Sequence, residues 1–370
     1  MSFENEKLKI NVSDFQKVSA VTAVILQTVL GFALAHTTDG ATQSLLGALY
    51  ILVKYTAPMF IFAIVYNMVK VSHKHHYWDF LKEKCLELVV PYILWTIVYL
   101  AVLPNVQQKV PYDSIGTFLL KCLVGDAGPH LWYTIMMLQI QLCMPLFIWL
   151  GYKVFTQKRF VWPVLGLATV LYVAWYVFYQ QFIFTGSYHD SWYLLDRFVF
   201  SFLVYGIYGV AAFRYHEQLF KVLHVVRFLM VPAILLSGMV AIQNFLNYSD
   251  EISFGNTTYL NTTQSIYSLV VILSVFYLAS VLIQNNSRVL PAVKFLSTYA
   301  YRSYLANVFV FQMLVKVFGP TWLKLPTGWM IIFAYFMTVM GSFIVAYGLH
   351  VIFEAIRPKK VVPQKYSKVI

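Results

Sequence analysis

Ten long apolar stretches constrain the fold of this chain more than any other feature of its sequence. A helix needs about 20 apolar residues to cross the hydrocarbon core of a bilayer. The apolar runs are continuous, whereas the strands of a membrane barrel would alternate in polarity over about ten residues. The sequence therefore predicts an all-α, polytopic membrane helical bundle of about ten transmembrane helices, at 17–35, 49–69, 86–103, 131–155, 160–179, 193–213, 223–245, 264–283, 297–318 and 329–353.

The composition supports a membrane environment. Charged residues make up 11% of the chain and apolar residues 60%, whereas soluble domains carry about 25% and about 45–50%. A chain with so little charge cannot cover a water-exposed surface, which excludes a soluble enzyme and a disordered chain. A net charge of +12 raises the question of a nucleic-acid partner, and the positions of the basic residues answer it.

The basic residues segregate to one side of the predicted bundle. Of the 27 lysines and arginines, 20 lie on the side of both termini, if Lys17, Lys153 and Arg227 at the edges of spans are counted there; three lie in the opposite loops and four deeper within spans. Short cytoplasmic loops of membrane proteins are rich in Lys and Arg. Both termini are therefore predicted to be cytoplasmic, and no nucleic-acid partner is expected.

This topology divides the chain into three segments. Residues 1–16 form a cytoplasmic N-terminal segment, 17–354 a transmembrane domain and 355–370 a basic cytoplasmic tail. A basic tail next to a membrane can attract anionic lipid, or it can simply hold the last helix in its orientation. The sequence leaves both interpretations open.

Charged side chains within the predicted spans are candidates for a functional site, because charge inside a bilayer is costly and usually faces the protein interior. Lys54 suits an anionic or hydroxylated substrate group, unless it reaches the outer headgroups, as Lys316 is expected to do. Asp196 and Arg197 begin the sixth predicted span; as neighbours on a helix they need not pair with each other, and one of them is expected to pair elsewhere. Arg302 suits bidentate phosphate binding, or it reaches the inner headgroups.

Aromatic and histidine residues cluster at the predicted outer surface. His130, Trp132 and Tyr133 stand at the mouth of the fourth span. Aromatic faces beside hydrogen-bonding groups suit a sugar, but Trp and Tyr also form the belts of ordinary membrane proteins. His189 lies in a second outer loop. The histidine-rich tract 73–76 lacks the partners and spacing of a metal site, so no metal site is predicted.

Four segments, in order along the chain, resemble the acyltransferase-3 family of membrane proteins. They are YTAPMFIF at 55–62, FLKEKCLELVVPYILW at 80–95, HLWY at 130–133 with PLF at 145–147, and STYAYRSYLAN at 297–307. Within the family, the likeness is nearest to the branch that exports or O-succinylates poly-N-acetylglucosamine, the intercellular adhesin.

The resemblance implies a multi-pass protein of a bacterial plasma membrane that acylates sugar hydroxyls. It implies no bound cofactor, and acyl-CoA as the acyl donor on the cytoplasmic side. The partners implied are membrane lipid, a surface polysaccharide or its lipid-linked precursor, and a membrane glycosyltransferase of the same system.

This chain departs from the family where the family has histidines and an arginine. Gln27 or Thr28 stands at the histidine position of the first span, Asn307 at that of the ninth, and Lys84 near the family's arginine. None of the three residues at the histidine positions can serve as a base near neutral pH, as histidine does. Two hypotheses therefore stay open: an O-acyltransferase with a different base, or a non-catalytic subunit for polysaccharide export or assembly.

Overall fold

The computed structural model describes residues 4–5, 8–72, 77–108, 112–189, 191–248 and 251–356. Within these ranges the chain forms a helical bundle, which confirms the predicted all-α fold class. Two short strands, Glu4–Asn5 and Ile10–Asn11, pair antiparallel ahead of the bundle. The helices are α1 (Val12–Ala35), α2 (Gly40–Leu52), α3 (Thr56–Ser72), α4 (Tyr77–Val102), α5 (Ile115–Val124), α6 (Trp132–Leu142), α7 (Met144–Trp149), α8 (Lys158–Tyr179), α9 (Leu203–Arg214), α10 (His216–Val225), α11 (Arg227–Leu246), α12 (Thr262–Gln284), α13 (Leu290–Trp322) and α14 (Thr327–Ile356).

Eight helical segments in the described part of the chain are long and apolar enough to cross a membrane. They include α2 and α3 taken together as Gly40–Lys70. The pair Trp132–Leu142 and Met144–Val154, bent by 52°, makes a ninth if it forms one span. The sequence predicts about ten spans, which is more than the eight or nine that these helices can form. The difference lies at the sixth predicted span.

The sixth predicted span, 193–213, is a helix only in its second half. α9 has 12 residues and is about 18 Å long at 1.5 Å per residue, short of the roughly 30 Å of a bilayer core. The segment before it forms 3₁₀ turns at Tyr193–Arg197 and Val199–Ser201. The Gln139 side chain on α6 holds these turns, donating to Arg197 O and accepting from Val199 N, each at 3.0 Å.

The start of α1 is set by local hydrogen bonds. Asn11 caps the helix by accepting from Ser13 N at 2.8 Å, and Asp14 accepts from Asn11 N at 2.9 Å. This reciprocal pair satisfies backbone N–H groups that have no partner inside the helix. Lys294 on α13 donates to Lys9 O at 2.8 Å, so the N-terminal ends of α1 and α13 lie at the same end of the bundle.

The C-terminal part of α14 lies at that end as well, because the rings of His350 and Tyr299 are 5.5 Å apart. We call this end, which carries most of the basic residues, the basic end, and the other the loop end. The placement of the basic end in the cytoplasm remains a prediction from the sequence.

The loop between α4 and α6 contains a short helix, α5 (Ile115–Val124). Ser114 caps its start, and Gly125 ends it with a φ of 78°. A Cβ at Gly125 would lie 2.5 Å from the Cα of Trp132. Glycine is required here both by the left-handed backbone and by the close approach of the next helix.

Candidate functional site

A large cavity lies among the helices at the loop end. Its volume is about 880 Å³, near the top of the range for ligand pockets, about 300–1,000 Å³. Its walls come from α1, the break between α2 and α3, the residues before α6, the 3₁₀ turns, the loop 254–260 and α13. Nine of the residues named in the sequence analysis line it: Gln27, Thr28, Lys54, His130, Trp132, Tyr133, His189, Asp196 and Arg197.

Lys54 lies in the break between α2 and α3 and is only 5% exposed. Its Nζ donates to Thr257 Oγ1 at 2.8 Å and lies 4.5 Å from the centre of the Tyr259 ring and 5.2 Å from that of Tyr50. It forms no ion pair with any described residue. Ring faces and one hydroxyl stabilise the ammonium only in part, so the cavity contains a buried cation suited to an anionic group.

His130, immediately before α6, is buried in the cavity wall. Its Nε2 is 3.3 Å from Leu305 O, and because a carbonyl only accepts, Nε2 carries the proton and donates. The lone pair of the neutral ring is then on Nδ1, which is buried and has no hydrogen-bond partner among the described residues. Burial lowers the pKa of His130 to about 4, and the hydrogen bond to Leu305 O opposes the shift.

Two tyrosines hold the His130 ring in place. Tyr304 donates to His130 O, and its ring meets the imidazole edge-on at 5.1 Å. Tyr99 packs on the ring at 5.4 Å, donates to Leu305 O at 2.8 Å and accepts from Phe309 N at 3.0 Å. In an α-helix these two backbone groups are normally hydrogen-bonded to each other. The Tyr99 hydroxyl contacts both of them, and Leu305 O accepts from Tyr99 as well as from His130.

Arg197 forms a buried ion pair with a residue that the sequence did not single out. Its Nη1 is 2.6 Å from Asp126 Oδ1, and its Nη2 donates to Gln108 Oε1 at 2.9 Å. Tyr193 donates to the second oxygen of Asp126 at 2.8 Å. Asp196 lies 3.5 Å from Arg197 Nε, so these neighbours contact each other as well. The expectation that Arg197 pairs elsewhere is met, but both residues lie in a 3₁₀ turn and not at the start of a span.

The resemblance places Gln27 or Thr28 and Asn307 at histidine positions of the family, and of these Gln27 and Thr28 line the cavity. Gln27 donates to Val53 O at 2.8 Å, which satisfies a carbonyl at the break between α2 and α3. Thr28 donates to Asn307 Oδ1 at 3.1 Å, and Asn307 donates to Tyr304 O. Although 279 positions separate them, Thr28 and Asn307 therefore form one cluster, joined through Tyr304 to His130.

Lys84 and Arg302 lie outside this cavity, nearer the basic end. Lys84 pairs with Glu87 at 2.5 Å, one turn along α4, and the two side chains are 32% and 57% exposed. Arg302, on α13, is partly buried and forms no ion pair with the described residues. The structure thus separates the two cations that suit a phosphate donor from the polar groups of the cavity.

The profile of a family described as an acyltransferase domain, acyltransferase 3, matches residues 17–347. The chain belongs to the acyltransferase-3 family. The match confirms the family that the sequence motifs indicated, and it does not distinguish the branches within that family. No curated protein and no solved structure gives a significant match.

Within the acyltransferase-3 chain, the departures from the family now have a physical description. Gln27, Thr28 and Asn307 form hydrogen bonds that join helices. Their amide and hydroxyl side chains cannot accept a proton near neutral pH. The buried histidine among the described residues of this cavity comes instead from the segment before α6, in the HLWY motif at 130–133. Membership and the many apolar helices make the chain a multi-pass membrane protein of the acyltransferase type.

Four residues of the site were missed in the sequence: Asp126, Tyr99, Tyr259 and Tyr304. Tyr304 belongs to the STYAYRSYLAN motif and could have been singled out there. Asp126 had one weak signal, an acidic residue next to a glycine in a predicted loop. Tyr99 and Tyr259 had none, because they are two of 27 tyrosines in this chain.

Proposed function

We propose that this acyltransferase-3 protein transfers an acyl group to a sugar hydroxyl bound in the cavity at the loop end. The observation that carries the proposal is His130, whose Nδ1 has no partner among the described residues and whose ring lies in the cavity wall. A hydroxyl nucleophile needs a base close to it, and His130 can replace the histidines absent at Gln27, Thr28 and Asn307.

In the proposed reaction, the acceptor hydroxyl attacks the carbonyl carbon of a thioester. A C–O bond forms, the hydroxyl proton passes to His130 Nδ1, and the C–S bond to the donor breaks. The imidazolium then returns the proton to the leaving thiolate, so that the products are an ester and a free thiol. The hydrogen bond from Nε2 to Leu305 O strengthens while the ring is charged.

The donor is proposed to be acyl-CoA from the cytoplasm. Its phosphates suit cations at the basic end, where Lys84 and Arg302 lie. The acceptor is proposed to be a cell-surface polysaccharide or its lipid-linked precursor in a bacterial plasma membrane. The aromatic walls formed by Trp132, Tyr133 and Tyr259 support a sugar, whose C–H faces pack on rings while its hydroxyls form hydrogen bonds.

Acyl transfer can be tested with an isotope-labelled acyl group in cells that carry or lack the gene. We expect labelled ester on the surface polysaccharide only in cells that carry it. The same amount of polymer-bound label in both strains would contradict the proposal. Purified protein in proteoliposomes with labelled acyl-CoA then identifies the acyl group and the acceptor.

Replacing Lys54 by Met separates a binding role from a structural one. An apolar side chain removes the cost of burying an incompletely paired cation, so the melting temperature in detergent should stay the same or rise. Loss of a charged hydrogen-bond donor should raise the KM of the hydroxylated acceptor about tenfold or more. Lys316→Met is the matched control, because Lys316 is exposed near the same end of the bundle. A lower melting temperature with unchanged KM would show that Lys54 is structural.

A second function, that of a non-catalytic export or assembly subunit, is favoured by one observation. Gln27, Thr28 and Asn307 replace the family's histidines and are all committed to hydrogen bonds between helices. In that case, deletion of the gene should remove polymer from the cell surface while the acyl content of the remaining polymer stays the same. The same deletion strain tests the enzyme proposal, which instead predicts loss of acyl groups while export of the polymer stays normal.

A further inference from the structure

A second, smaller cavity adjoins the first one at the loop end. Its volume is about 290 Å³, at the low end of the range for ligand pockets, about 300–1,000 Å³. It lies between α11, the N-terminal end of α12 and the turn Gln180–Phe184 that follows α8. Phe184, Thr257 and Thr258 line both cavities. Thr257 accepts a hydrogen bond from Lys54, so the two cavities adjoin each other beside the Lys54 ammonium.

The smaller cavity is polar but uncharged. Amide and hydroxyl side chains line it together with the rings of Tyr176, Phe184 and Tyr248. Among its described lining residues there is no acidic or basic side chain. These groups do not suit a phosphate or a carboxylate, and they are too polar for the acyl chain of a lipid. They suit a neutral sugar unit, which offers hydroxyls to amides and C–H faces to rings.

One polar group in this cavity is left without a partner. Gln264 is 3% exposed, and its Nε2 has no hydrogen-bond partner among the described residues. Its neighbours are engaged: Gln180 donates to Leu260 O at 2.7 Å and Thr262 to the Tyr176 hydroxyl at 2.7 Å. A buried amide without a partner costs free energy, and an acceptor oxygen of a bound ligand would remove that cost.

We propose that this smaller cavity is a saccharide subsite, which binds the neutral sugar unit next to the one held in the larger cavity. The acceptor is then an oligosaccharide or polymer rather than a single sugar. The inference rests on the proposed function for its setting, since it assumes that the larger cavity receives a sugar. Gln264 Nε2 donates to a hydroxyl or carbonyl oxygen of the second unit.

The test is a binding measurement that does not need acyl transfer. Purified full-length protein in nanodiscs is titrated with β-linked glucose and β-linked N-acetylglucosamine oligomers of one to four units. We expect the Kd to fall about tenfold between one and two units, as one or two added hydrogen bonds allow. Gln264→Leu should lose this gain and keep the affinity for one unit. Its melting temperature should not fall, because the amide has no partner to lose.

The matched control is Gln243→Leu, a glutamine on α11 that does not line the cavity. Asn244→Leu, which changes a lining amide on the same helix, is a second variant and should reduce the gain in part. Equal affinity for one and two units, or a gain that survives in Gln264→Leu, would overturn the subsite. Length-dependent binding without any acyl transfer would contradict the enzyme proposal and leave the subsite standing.

Discussion

His130→Gln is expected to lower kcat/KM for acyl transfer by about 10²–10⁴, the usual contribution of a positioned base. Glutamine can keep the donor to Leu305 O and much of the volume of the ring, but it cannot take up the hydroxyl proton. The KM of the acceptor should change little, since the sugar is bound by other parts of the cavity. The measurement is the rate of labelled acyl transfer by wild-type and variant protein in proteoliposomes.

The pH profile of the wild type gives an independent check. Burial lowers the pKa of His130 to about 4, and the neutral ring is the active form. The value of kcat/KM should therefore stay level as the pH falls from 7 to 5 and decrease only as it approaches 4. A base with an ordinary histidine pKa, about 6.5, would already lose activity above pH 6.

His189→Gln is the matched control for His130→Gln. His189 is exposed and also lines the larger cavity, so it is the competing candidate for the base. We expect this variant to transfer acyl groups at close to the wild-type rate. Loss of transfer in His189→Gln, with activity retained in His130→Gln, would reject the role proposed for His130.

Arg197→Met is expected to lower the free energy of unfolding by about 3–5 kcal/mol, the usual cost of removing one partner of a buried ion pair. The side chains of Arg197 and Asp126 are 10% and 4% exposed, and their closest atoms are 2.6 Å apart. Without Arg197, the Asp126 carboxylate keeps only the hydroxyl of Tyr193 as a side-chain donor among the described residues. The measurement is the free energy of unfolding in mixed micelles of detergent and SDS.

Two further variants distinguish the ion pair from a general effect of substitution. The double variant Asp126→Asn with Arg197→Met has no unpaired charge and should recover more than half of the lost stability. Lys84→Met breaks an exposed pair of similar distance, 2.5 Å, and should cost less than about 1 kcal/mol. If Arg197→Met lowers the free energy of unfolding no more than Lys84→Met does, the buried ion pair does not stabilise the site.

The helices were predictable because their signal is local. Each long apolar run is a property of neighbouring residues, and a bilayer leaves the backbone few choices other than a helix. This reasoning relies only on composition along the chain. It failed at 193–202, where apolar composition continues but the backbone forms 3₁₀ turns. Those turns depend on hydrogen bonds from Gln139, which is about 60 positions away.

The candidate residues of the cavity were predictable in part. Charge within an apolar span selected Lys54, and the position of His130 at a helix mouth selected it as well. Their partners were not visible, because Thr257 and Leu305 are 203 and 175 positions away and neither has a distinctive side chain. Arg302 met the same criterion of charge within a span, and Lys84 was selected by the family resemblance, yet both lie elsewhere.

The sequence by itself determined the membrane class, the helical content and the family, since apolar runs, their lengths and the order of short motifs are all read along the chain. Only the tertiary structure decided that Thr28, Asn307 and His130 belong to one cluster, and that the Lys54 ammonium is buried beside aromatic rings. The physical reason is that burial and partnership depend on helices packed across the bundle. No pattern of neighbouring residues encodes which side chain is left with an unpaired donor or acceptor.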